Sequence, residues 1–145
     1  MRISRFNWLS LALVSVVPIC AAQAQSSPKR APKNVTGHYR LTKQEFRNCL
    51  DVQQLTGGKI EFDLLALWVS YNNPHNIHNG ELHGTALLDD GVAIYDQDEC
   101  KIKIEFFLDR VRVTQIEDSG CGFGANVTAA GTYRKLNNKK PKFDF

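Results

Sequence analysis

The densest chemistry in the chain lies between Tyr71 and His83, a segment that holds three of the four histidines and a carboxylate: His75, His78, Glu81 and His83. Imidazole and carboxylate groups are the ligands that zinc and other borderline metals take, so these four define a candidate metal site and, with it, a metal-dependent enzyme. The plainer reading is a solvated Asn-rich turn with incidental histidines. No helical pattern fixes the spacing between His75 and His78, and no known zinc spacing fits. The rest of the sequence offers no catalytic set: no Gly-x-Ser-x-Gly, no cysteine and histidine in a nucleophile setting, no phosphate-cradling glycine loop before a helix. The acid pairs Asp89-Asp90 and Glu117-Asp118 fall at turns or strand ends, and neighbours on an extended chain point to opposite sides, so they do not share a substrate. A binding role ranks ahead of an enzymatic one, and no cofactor is implied.

The second candidate is Ser119-Gly120-Cys121-Gly122-Phe123-Gly124. Alternating glycines in an extended chain lay bare backbone along one side and send Cys121 and Phe123 to the other. Functionally, Gly122, Phe123 and Gly124 would be a tethered loop that meets a partner with little entropy left to lose. Structurally, they would mark a corner where a large side chain such as Trp68 packs on glycine. The tether is a disulfide between Cys100 and Cys121, which flank one compact strand-turn-strand segment. Closing such a loop stabilises by about 3 kcal/mol. Of the four cysteines Cys20 would leave with an N-terminal signal, so Cys49 is left over, and pairing through Cys49 or three buried thiols remain open.

These residues need elements to hold them. Arg2 and Arg5, the apolar run Trp8 to Ile19 and the small-x-small site Ala22-Gln23-Ala24 have the order of a signal peptide over residues 1–24. Export to a periplasm or the medium follows, where a disulfide persists. Residues 25–36, polar and broken by proline, read as a flexible linker, and residues 137–145 as a basic C-terminal tail. Residues 37–136 between them show a period of two: Ile60, Phe62 and Leu64 alternate with Glu61 and Asp63, and Ile102, Ile104 and Phe106 with Lys101, Lys103 and Glu105.

Turn signals at Thr56-Gly57-Gly58, Asn79-Gly80, Asp89-Asp90-Gly91, Asp96-Gln97-Asp98 and Leu108-Asp109 separate the runs at hairpin spacing. About eight strands are expected, near 37–42, 48–55, 59–69, 80–88, 91–96, 99–107, 110–117 and 130–136, with one helical turn as an alternative between Leu41 and Leu50. A meander of that kind leaves two bare edges unless it closes, so the predicted fold is all-β: a small antiparallel meander barrel, with a β-sandwich as the alternative. Gly37-His38-Tyr39-Arg40 and Gly131-Thr132-Tyr133-Arg134 share a pattern that two paired terminal strands would show.

The charge of +3 includes Arg2 and Arg5, so the processed chain is close to neutral. Net charge thus gives no argument for nucleic acid or an anionic membrane as partner, and no later segment is apolar and long enough to span a bilayer as a helix. The run Cys100-x-Ile102-x-Ile104-x-Phe106, Val111-x-Val113-x-Gln115, Cys121-Gly122-Phe123-Gly124-x-Asn126-Val127 and Gly131-x-Tyr133 resembles a pattern in small exported bacterial β proteins. In size, address and architecture the chain is also similar to the small periplasmic barrels that inhibit lysozymes. That resemblance implies an exported binding protein whose loops engage an envelope or secreted protein, with a cell-wall hydrolase as one partner class. A carrier of a small apolar ligand inside the barrel is the alternative, and it requires a cavity.

Overall fold

A computed structural model of the chain describes residues 32–116 and 121–143. The expected signal peptide, most of the linker, and Ser119 and Gly120 lie outside the described residues. Eight strands follow one another: β1 (Gly37–Lys43), β2 (Phe46–Leu55), β3 (Lys59–Val69), β4 (Ile77–Asp89), β5 (Val92–Gln97), β6 (Cys100–Phe106), β7 (Arg110–Gln115) and β8 (Gly131–Asn137). Each pairs antiparallel with the next and β8 pairs with β1, so the sheet is a closed meander barrel, with no helix among the described residues.

Alternation explains the inside. Ile60, Phe62, Leu64 and Ala66 of β3, and Ile102, Ile104 and Phe106 of β6, face a dry interior, while the residues between them face out. Tyr39 meets Phe106 edge-on at 6.1 Å and Phe62 meets Tyr95 at 5.4 Å, the T-shaped arrangement that aromatic quadrupoles favour. Ile94 points outward and is 51% exposed.

Both terminal strands start in the same way. Tyr39 and Tyr133 are fully buried, and each donates its hydroxyl at 2.6 Å to the carbonyl four residues back, Val35 and Ala129 respectively. Val35 and Ala129 are themselves fully buried, and each donates its backbone N–H to a glutamine of the adjoining strand, Gln54 on β2 and Gln115 on β7. The chain must bend sharply ahead of each tyrosine, and Gly37 and Gly131 supply it with φ of 151° and 156°, which side chains rarely adopt. β1 and β8 run in opposite directions, so one of these corners plugs each end of the barrel. Arg40 and Arg134, each next after its tyrosine, are paired across the closing seam.

Four local expectations change, the first at Asn79-Gly80, which lies inside β4 and forms no turn. Val35, placed in the linker by its polar and proline-rich setting, belongs to the core, because burying it lets Tyr39 find an acceptor four residues back. At the other end β8 runs through Asn137, and Pro141 is buried, so part of the basic tail is bound to the body. Between Leu41 and Leu50 there is a tight hairpin, not a helical turn; Gln44 takes φ of 51° there, a turn made without the usual glycine.

The ladder is uneven. β3 and β4 share register from Lys59↔Leu87 to Val69↔Ile77, whereas β4 and β5 share only Leu88↔Ala93 and Asp89↔Val92. Below those two pairs the barrel wall is split.

Candidate functional site

The long connection from β7 to β8 crosses the end of the barrel beneath that split. Cys121 is joined to Cys100, the first residue of β6, as expected from the sequence. The pair fits an oxidising compartment. Cys49 is a free, half-buried thiol on the outer side of β2. From Cys121 the loop reaches the start of β4: Gly124 donates its N–H to the Asn79 carbonyl at 3.1 Å, and the His78 Nδ1 lies 2.6 Å from the Ala125 carbonyl oxygen. Phe123 lays its ring on Gly80, where a methyl group would overlap the ring. Trp68 stands against His78 instead, with ring centroids 5.3 Å apart. The expected packing of Trp68 on the loop glycines is not present: Gly122 faces open space and Gly124 faces Asn79 and His78, and the ring-on-glycine contact is that of Phe123 with Gly80 of β4.

Phe123 is thus turned inward and half-buried, while Gly122 and Gly124 on either side of it are exposed. The loop is held by a covalent bond, a backbone hydrogen bond, an imidazole contact and an aromatic plug. Around it, at the same end, stand Tyr71, 88% exposed, and the exposed Ile77 and Ile116. Beneath it Asn48, the only buried polar residue among those described, donates its Nδ2 to the Thr128 carbonyl and to the Tyr133 hydroxyl, and accepts the Leu67 N–H. Alternation alone does not single out Asn48. A buried amide with three partners becomes visible only once the register is known.

The four metal candidates are not brought together. His75 is exposed in the turn before β4, and His78 is inward at the barrel mouth; Glu81 and His83 face outward on β4, on the opposite side from His78. That division follows from the period of two. Among the described residues no three His, Cys, Asp or Glu side chains converge as metal ligands.

His83 instead ends a row that the sequence did not reveal. Register places Asp63 beside His83, Asp51 beside Asp63 and His38 beside Asp51, across β4, β3, β2 and β1. His38 Nδ1 lies 2.7 Å from Asp51 Oδ1. Asp63 has its pKa raised, first by desolvation and then by the charge of Asp51, with Glu81 adding to the rise and His83 opposing it. Next to this row, in the split between β4 and β5, lies an open groove of about 440 Å³ lined by Glu81, His83, Thr85, Tyr95, Gln97 and Asp98 among others. The interior is lined by the buried side chains of Tyr39, Leu50, Phe62, Ile104, Phe106 and Tyr133.

No family model, curated protein or solved structure matches this chain.

Proposed function

We propose that the protein is an exported, periplasmic or secreted binding protein that engages an envelope or secreted protein through the loop end of its barrel, with a cell-wall hydrolase as the partner class to test first. The observation that carries this reading is the latched β7–β8 loop. Its contacts with β4 and β6 fix the backbone from Cys121 to Val127 before any partner arrives, so binding costs little ordering entropy. The surrounding Tyr71, Ile77 and Ile116 supply the exposed apolar and aromatic area that interface cores are made from. Within this reading Gly122 and Gly124 present backbone to the partner, and Phe123 holds the loop down on Gly80.

The test uses the chain from Gln25, which contains every described residue. Added to muramidases acting on purified peptidoglycan, it should slow turbidity loss at stoichiometric ratio. Tyr71→Ala should weaken the inhibition by more than about 1 kcal/mol, the usual loss at an interface anchor. Hydrolysis at an unchanged rate under saturating protein, together with no envelope protein retained by cross-linking to the loop end, would remove the reading.

A further inference from the structure

The near-neutral net charge hides a barrel with two unlike sides. Strands β7, β8 and β1 contain no aspartate or glutamate, whereas outward acids recur on β2 to β4, at Asp51, Glu61, Asp63, Glu81 and Asp89. On the basic side Arg110 pairs with Arg134 and Arg134 with Arg40, so three arginines stand in one outward row across three strands. Cross-strand neighbours are about 5 Å apart at Cβ, and like charges in that position repel. Of the three, only Arg110 has a carboxylate partner among the described residues, Asp109 at 3.2 Å. The guanidinium groups of Arg110 and Arg112 lie 5.1 and 5.8 Å from the centre of the Phe107 ring.

At the rim just beyond the row stand Leu108, in the turn before β7, and Leu136, near the end of β8, 66% and 53% exposed. Lys139, Lys140 and Lys142, all exposed, follow β8 from the same rim.

From this juxtaposition of an in-register arginine row and two exposed leucines we infer that the β7–β8–β1 side is a docking surface for an anionic lipid bilayer. The arginines and tail lysines meet the phosphate headgroups, and Leu108 and Leu136 enter the interface. A dissolved polyanion would use the arginines and leave the leucines in water. A charged bilayer surface uses both, since basic side chains are drawn to anionic headgroups and apolar ones to the acyl boundary. The docking is peripheral and crosses nothing. Its apolar and tail elements, Leu108, Leu136 and the lysines, lie at the end of the barrel away from the latched loop, so a bound membrane leaves that loop free.

The inference is tested by co-sedimenting the chain from Gln25 with vesicles of phosphatidylcholine alone or mixed with an equal part of phosphatidylglycerol, at low and high salt. Binding should need phosphatidylglycerol and fall as salt rises. The triple change Arg40→Gln, Arg110→Gln, Arg134→Gln should lower the partition about 100-fold, in line with the pull of an anionic surface on each basic residue. The corresponding lysine triple should restore most of it, and Leu108→Ser with Leu136→Ser should cost about 10-fold by the apolar area withdrawn from the interface. Absence of binding to the charged vesicles would overturn the inference, as would binding that ignores the arginines. Equal, arginine-dependent binding to long-chain polyphosphate in solution, untouched by the leucine changes, would also overturn it in favour of a soluble polyanion.

Discussion

The two ends of the barrel are closed by the same device and used differently. At one end Tyr39 reaches back to Val35, which enters from the chain ahead of β1; at the other Tyr133 reaches back to Ala129, which is fed by the long β7–β8 loop. Each corner has its glutamine, Gln54 or Gln115, and its glycine. The loop end has in addition Asn48, which ties Tyr133 and Thr128 to β2, and the Cys100–Cys121 bond. The difference shows how a loop of this length is carried without loosening the fold: the corner seals the core first, and the extra fastenings act on the loop outside it.

The largest test of that division is Cys100→Ser. Loss of the crosslink should cost about 3 kcal/mol, read as a lower urea midpoint, with a somewhat steeper slope because the unfolded chain expands. Reductant should bring the native chain to the same value. A midpoint that does not move would mean that the noncovalent contacts suffice to hold the loop.

Tyr133→Phe should cost about 2 kcal/mol, because it withdraws a partner from both the Ala129 carbonyl and Asn48 in a buried setting, whereas Tyr39→Phe should cost about 1 kcal/mol, with one acceptor affected. Equal losses would make the two corners energetically alike and leave Asn48 without a role in the difference. Gln115→Ala follows at under about 1 kcal/mol, with faster hydrogen exchange confined to the Ala129 amide and its neighbours. Exchange that quickens equally at Val35 would show that the corners are coupled.

The smallest effect belongs to the wall between the ends. Asp63 has a folded pKa above its ordinary value, so the folded state holds the proton more tightly than the unfolded one, and stability falls as pH rises through that folded pKa. Asp63→Asn should therefore raise the thermal midpoint slightly at neutral pH and make no difference well below the ordinary carboxylate range. A variant that is less stable at neutral pH would contradict the repulsion ascribed to Asp51 and Glu81.

Much of this architecture was legible in the sequence, and the exceptions have a common cause. Strand β3 spans the expected residues 59–69, since its alternation is unbroken from Ile60 to Leu64 and a glycine turn precedes it. The pairing of the terminal strands, suggested by Gly-x-Tyr-Arg at each end, is present as the Tyr39↔Lys135 and Arg40↔Arg134 register. The disulfide followed from the compact segment between its cysteines.

What alternation leaves open is which residues of distant strands become neighbours. It assigned His75, His78, Glu81 and His83 to one segment, but sheet geometry put His78 inside and made Asp63 the neighbour of His83. The start of β2 at Phe46 was missed because Gln44 and Glu45 carry no turn signature, and Val35 because a single apolar residue in a polar stretch has no periodicity to betray it. Net charge likewise averaged over two sides that only the register separates.

The split between β4 and β5 gives the cylinder the mechanics of a slit ring. Deformation of such a ring gathers at the slit, where two residue pairs and the Tyr95 ring on Gly84 hold what a full ladder holds elsewhere. Opening motions should start there, widening the Glu81–Gln97 side while the β2–β3–β4 wall keeps its shape.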